Sequence, residues 1–161
     1  MLDPKTFKII LDNAPLVSID LCLVYDSSIL LGKRNNMPLK GRWFTPGGRI
    51  FKNERWQDAI DRIAFNELGI QKDEELQFQI MGIWDHMYKD SIFGADHSTH
   101  YVNIPHYVFL DKKILIFSDK QHSEFDWFDL NEINNENAFH SYMIDYAKFL
   151  TDVQFNLSRD I

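Results

Sequence analysis

A carboxylate lies where an apolar residue belongs. In the segment ERWQDAIDRIAFNEL (54–68), Trp56, Ala59, Ile60, Ile63, Ala64 and Leu68 fall on one face of a helical wheel, with Glu67 inside that face. An ionised carboxylate buried without a partner costs several kcal/mol, so Glu67 calls for a strong one. Just upstream, Gly47 and Gly48 lead directly into Arg49, an arrangement suited to binding an anion. Arg62, on the same helix as Glu67, can pair with Glu54 or Asp58, meet an anionic ligand, or do both. Cys22, the lone cysteine, is surrounded by apolar residues and reads as a small core residue; no disulfide can form within the chain.

These residues need elements to hold them. Leu16 to Tyr25 and SSILLGKR predict a hairpin turning at Asp26 to Ser28. NNMPLKGRWFTPGG (35–48), with its prolines and glycines, predicts an irregular loop. Asn53 is the expected cap of a helix over 54–68, and Gly69 its C-terminal stop. LQFQIMGIWDHMY and HYVNIPHYVFL read as two long strands joined by a polar, mobile segment, KDSIFGADHST. ILIF continues the sheet, DKQHSE is a loop, FDWFDL a short strand and AFHSYMIDYAKFL a closing amphipathic helix. Elements interspersed without a regular βα repeat point to an α/β fold with a mixed β-sheet between helices.

Composition narrows the function. With 161 residues and 45% hydrophobic content, the chain suits a single domain, 1–161, with a substantial core. No apolar run approaches the ~20 residues of a membrane helix, and no signal-peptide pattern opens the chain, so a cytoplasmic protein is expected. A net charge of −7 argues against nucleic acid or acidic membrane as partners, and leaves any anionic ligand to a local group of arginines.

The segment from Gly48 to Ile70 resembles the Nudix box, a signature of hydrolases acting on nucleoside diphosphates linked to another group. That pattern runs Gly, five residues, Glu, seven residues, Arg-Glu-apolar-x-Glu-Glu-x-Gly-apolar. Gly48, Glu54, Arg62, Ala64, Glu67, Gly69 and Ile70 are in register, whereas Ile63 and Asn66 replace glutamates. PLVSID, LLGKR, GRWF followed by PGGR, the strand ending in WDH, THYV and DKQH are similar to one branch, the GDP-mannose mannosyl hydrolases. The likeness extends to about Leu130, and the C-terminal helix adds little to it.

This resemblance implies a Nudix α/β/α sandwich, a homodimer, and Mg²⁺-dependent hydrolysis of GDP-mannose or GDP-glucose. Water attacks the anomeric carbon with inversion, releasing GDP and free hexose. It implies Glu67, Gln121 and the carbonyl of Gly47 as metal ligands, in keeping with the preference of Mg²⁺ for oxygen. His122 matches the general base; a reference pKa of ~6.5 leaves neutral imidazole available near neutral pH. Arg34, Arg49 and Arg62 match groups that meet the diphosphate or organise the site, with Arg34 and Arg49 stabilising departing GDP. Asp20, His86 and Tyr101 match sugar-side or supporting polar groups, Asp20 among the catalytic set. Leu2 and Phe7 match a nucleotide-contacting arm related to the dimer. Without the resemblance, Asp20 is explained as the polar outward face of a strand. Two other readings stay open: Nudix attack on phosphorus, giving a nucleoside monophosphate and sugar 1-phosphate, and a non-catalytic nucleotide-sugar-binding module. His97, His100, His106 and His140 lack metal-ligand spacing, and Asp73, Glu74 and Glu75 read as a solvated loop face.

Overall fold

A computed structural model describes residues 2–71, 76–114, 116, 122–134, 138–157 and 159. The N-terminal residues form a helix, α1 (Pro4–Asn13), started by Asp3, whose side chain accepts from the backbone N–H groups of Lys5 and Thr6. Phe7 and Leu11 of this helix bury themselves against Leu16.

Strand β1 (Leu16–Tyr25) is the spine of the sheet. Its second half pairs with β2 (Ser28–Arg34), antiparallel, and with β8 (His106–Leu110), parallel. Its first half pairs with β4 (Gly47–Arg49), antiparallel, and β7 (Thr99–Asn103), parallel. The neighbours of β1 therefore change just past Asp20. Strand β2 continues outward to β3 (Trp43–Phe44) and β9 (His122–Asp129), β7 to β6 (Trp84–Tyr88), and β8 to β5 (Gln79–Ile80).

Alternation along β1 separates two cores. Ile19, Leu21 and Leu23 face α2 (Trp56–Leu68), meeting Ala59, Ile60, Ile63, Ala64 and Leu68. Cys22 and Val24 face the other way, toward α3 (Ser141–Leu157), meeting Met143, Tyr146, Ala147 and Leu150. Helices on both faces of a mixed sheet match the expected α/β architecture. No described helix is long and apolar enough to cross a membrane.

Several local expectations change. Helix α2 starts at Trp56, after an N-cap Arg55 that makes no side-chain capping bond; Asn53 instead adopts left-handed backbone at φ 66°. The Glu54 carboxylate takes the Phe51 N–H, so a tight turn occupies the place of the first expected helical residues. Gly69 does end the helix, at φ 69°, with its N–H bonded to Phe65 O and the Ile70 N–H bonded to Ala64 O. The two expected long strands each divide: β5 and β6 flank Gly82 at φ 150°, while β7 and β8 flank Ile104–Pro105. That second break lets β7 and β8 pair with different halves of β1. His122 begins β9 instead of lying within a loop, and that strand takes in Ser123 and Glu124 as well as FDWFD of the expected short strand. Within the segment expected to be mobile, Ser91 and Gly94 exchange paired backbone bonds and Phe93 packs against Phe7. ILIF, Gln121 and the acidic run 73–75 lie wholly or partly outside the described residues.

Candidate active site

Where β1 changes neighbours, a cavity of about 290 Å³ opens. Helix α2 contributes Arg62, Ile63, Asn66 and Glu67; β4 contributes Gly47, Gly48 and Arg49. Asp20, Arg34, His86 and Tyr101 enter from the strands, and Phe7 from α1. The fold thus gathers most of the residues singled out from the sequence, but not His122, the expected base. Leu2 is exposed ahead of α1 and does not line the cavity, and Gln121 lies outside the described residues.

Glu67 is 3% exposed, as its place on the wheel demands, and accepts a hydrogen bond from the Gly47 N–H at 2.9 Å. Strand β4 is thereby joined to the helix carboxylate at the cavity wall. Trp56 departs from the apolar face: it is about half exposed and stacks on His106 at 5.3 Å. Ile63 fills space under Gly48, and Asn66 presents a neutral amide where a carboxylate would add charge.

The arginines divide by role. Arg62 donates twice to Glu54, at 2.6 and 2.8 Å, once to the Arg49 carbonyl at 2.8 Å, and lies 4.1 Å over the Phe51 ring. The structural ion pair is therefore present, and through the Arg49 carbonyl it also braces the loop that carries Arg49. These bonds hold the Glu54 carboxyl below its ordinary range. Arg49 is half-buried with its guanidinium 3.9 Å over the Phe7 ring, and desolvation lowers its pKa. Arg34 donates from Nε to the Pro38 carbonyl at 2.9 Å. Arg34 and Arg49 are thus the cavity guanidiniums without a carboxylate bond among the described residues.

Asp20 is no outward-facing strand residue: it is buried. Its even position on β1 turns it toward α3, where Tyr146 OH donates to Oδ2 at 2.8 Å and Asn103 Nδ2 at 2.6 Å. Burial dominates these bonds and pushes its pKa up to about 6. His86 Nδ1 stands 4.0 Å from the same oxygen, at the limit of an ion pair. The imidazole is nonetheless buried and flat against Tyr142, 3.9 Å between centroids, and desolvation lowers its pKa to about 4. His86 is accordingly neutral at neutral pH. His122 is also buried, packed against Gly32 and, at 5.0 Å, the Phe125 ring; it faces Arg34 across β2 and β9 and does not line the cavity.

The family model for the NUDIX domain matches residues 15–148. The chain belongs to the Nudix hydrolase family. The low-salt glycan biosynthesis protein Agl8 of Haloferax volcanii is 40% identical over 120 residues, 74% of each chain. The MutT protein of Methanosarcina mazei Go1 superposes with TM-score 0.69 over 87% of this chain and 96% of that one, at 18% identity. The NUDIX domain of Shewanella oneidensis NrtR, solved with ADP ribose, gives 0.67 over 95% and 94%, at 16% identity. These two likenesses concern the fold alone.

Nudix hydrolases generally use a divalent metal such as Mg²⁺. The donors of this Nudix domain fit such an ion in a restricted way. Glu67 supplies a buried carboxylate beside the backbone of Gly47, but the described residues hold no cluster of three or more His, Cys, Asp or Glu suited to a metal. One carboxylate with neutral oxygens suits a hard cation that takes its remaining oxygens from an anionic ligand. Of the histidines without an assigned role, His97 pairs with Asp12 and His100 with Asp85, both on the surface.

Sequence reasoning missed Tyr146, Asn103, Tyr88 and Phe51. The first was legible only as part of an apolar stripe, Met143, Tyr146, Ala147 and Leu150, at helical spacing. Cys22 is buried as expected, and Phe44 lines the cavity while Trp43 packs on Phe128.

Proposed function

We propose that this protein hydrolyses GDP-mannose or GDP-glucose to GDP and free hexose, by attack of water on the anomeric carbon with inversion. The observation that carries the reading is the α2 face at the cavity, where Ile63 and Asn66 leave Glu67 as the helix's lone carboxylate there. Attack on phosphorus relies on several helix carboxylates to gather metal and supply a base; departure of GDP from carbon needs its diphosphate neutralised and a base elsewhere. The relative in glycan biosynthesis is in keeping with a nucleotide-sugar substrate.

Glu67, the Gly47 carbonyl and Gln121 would hold Mg²⁺, which when bound neutralises charge on the diphosphate. Arg34 and Arg49 extend guanidinium groups to the same diphosphate, where charge accumulates as GDP leaves. Arg62 holds the Arg49 loop in place, and Phe7 with Leu2 meets the nucleotide. His86 and Tyr101 line the sugar side with Asp20. His122 takes the proton from water, which requires its imidazole to turn from Gly32 toward the cavity when substrate binds. The protein would act in the cytoplasm as a single-domain homodimer, with the exposed Leu2, ahead of α1, and Ile9, on it, in the interface; light scattering after size exclusion tests that state.

One observation favours a second assignment of the base. Asp20 already lines the cavity, and its pKa of about 6 suits proton transfer near neutrality. His122→Gln and Asp20→Asn separate the two: the variant lacking the base loses roughly 10²–10⁴ in kcat with binding kept. Near-full activity in His122→Gln removes it as the base. Turnover in ¹⁸O-water tests the reaction itself, with label expected in the hexose; label in a phosphate product overturns attack at carbon.

A further inference from the structure

The carboxylate of Asp20 is held lopsidedly. Both side chains that donate to it, Asn103 from β7 and Tyr146 from α3, converge on Oδ2, and the Asn103 amide also reaches the Tyr146 oxygen. Among the described residues no hydrogen bond reaches Oδ1. That oxygen points instead at Gly47: a methyl group added there would lie 2.2 Å from it. Oδ1 therefore occupies space that a side chain at Gly47 would take, between two residues that line the cavity.

The donors are costly choices for a core. Tyr146 is fully buried among Phe44, Trp84 and His86, where phenylalanine would fill the space without a hydroxyl to satisfy. Asn103 is fully buried too and takes a further hydrogen bond from Ser18 at 3.0 Å, which fixes the orientation of its amide. A polar chain from Ser18 through Asn103 to Tyr146, satisfied within itself, ends on one oxygen of one acid. Its geometric result is a carboxylate that cannot rotate without losing two bonds, with its second oxygen against Gly47, another residue of the cavity lining.

We propose that Tyr146 and Asn103 are positioning residues, which hold Asp20 by Oδ2 and so aim Oδ1 at a hydroxyl of the sugar carried by the nucleotide. The proposal rests on the nucleotide-sugar reading for the identity of that hydroxyl. The clamp itself is a property of the chain. It places α3, which carries none of the Nudix pattern, in control of a cavity carboxylate.

Tyr146→Phe removes a single oxygen and keeps the ring. On GDP-mannose, kcat is expected to fall about 10- to 100-fold while KM changes less than about threefold, and Asp20→Asn combined with Tyr146→Phe should match Asp20→Asn within about twofold. Effects that multiply, or unchanged kcat in Tyr146→Phe, overturn the proposal. Tyr107→Phe, which removes a hydroxyl bonded to Gln79 away from the cavity, should retain full activity. If Tyr146→Phe does not fold, Asn103→Ser removes the other donor and is judged by the same cycle.

Failure of the substrate reading is distinguishable. A wild-type protein that releases sugar 1-phosphate refutes attack at carbon yet leaves the mutant cycle readable. If it acts on no nucleotide sugar, crystal structures of wild type and Tyr146→Phe decide: Oδ1 displaced from Gly47, or split between conformers, supports the clamp, and an unmoved carboxylate overturns it.

Discussion

Gly47→Ala tests whether the site depends on close approach between β4 and β1. The new Cβ would lie 2.2 Å from Asp20 Oδ1 and 2.7 Å from the Ile19 carbonyl oxygen, against an ordinary contact beginning near 3.4 Å. Asp20 can escape by rotating, but only by giving up its bonds from Tyr146 and Asn103, each worth about 1.5–3 kcal/mol to a charged group. Ile19 cannot escape, because its carbonyl is part of a strand paired on both sides; overpacking of this kind costs about 1–3 kcal/mol. Together these give a loss of about 4–9 kcal/mol. For a chain of this size each kcal/mol lowers Tm by about 2–4 °C, so a fall of roughly 10 °C or more is expected in scanning calorimetry, with loss of turnover. Gly48→Ala is the control: its Cβ would meet only the Ile63 side chain, Cγ1 at 3.3 Å and Cδ1 at 3.5 Å, with no backbone in the way, and should cost less than about 1 kcal/mol. A Gly47→Ala protein that melts within about 2 °C of wild type would refute the reasoning.

Glu67→Gln keeps an oxygen to accept the Gly47 N–H while removing the charge, so Tm should stay within about 3 °C and turnover fall by about 10³ or more; equal loss of both would make Glu67 a structural residue. Arg62→Lys loses the paired bonds to Glu54, the bond to the Arg49 carbonyl and the stacking on Phe51, and should cost about 1–3 kcal/mol by urea denaturation; an unchanged midpoint would mean that this network is dispensable. Two buried groups should nearly cancel in their contributions to stability between pH 4 and 6, because they oppose each other. His86 is held neutral down to about pH 4, so its contribution is lost as pH falls from 6.5; Asp20 is held neutral up to about pH 6, so its contribution is lost as pH rises from 3.8. Each term amounts to about 3 kcal/mol over its window. Asp20→Asn should therefore become less stable on acidification from pH 6.5 to 4, and a flat urea midpoint in that variant would disprove the neutral, buried state of His86.

Much of the site was legible along the chain because its signals are local. The period of α2 put Glu67 inward and the Gly69 stop follows from backbone freedom, and the structure shows both; Gly47 and Gly48, expected in an irregular loop, instead open strand β4, because the absence of a side chain at Gly47 lets it pair closely with β1. The start of α2 was misread because Asn53 has the right type for a cap, yet the Glu54 carboxylate captures the turn through the Phe51 N–H and Arg62. The breaks at Gly82 and Ile104–Pro105 were lost inside apolar runs, since pairing with different halves of β1, not local propensity, decides where those strands end.

Sequence alone determined the elements that a single helix can specify: an inward carboxylate on α2 and the glycine that stops it, together with a mixed α/β arrangement and a family signature. Only the tertiary structure decided what Asp20 is. A lone aspartate in an apolar strand is equally compatible with solvent, with a metal or with a hydrogen-bonded core, because alternation says which face it takes but not what waits there. The answer came from Asn103 and Tyr146, 83 and 126 positions away, which long-range packing brings onto one oxygen. The same limit applied to Arg62, whose partners Glu54, Phe51 and the Arg49 carbonyl share it only once the loop has folded back on the helix.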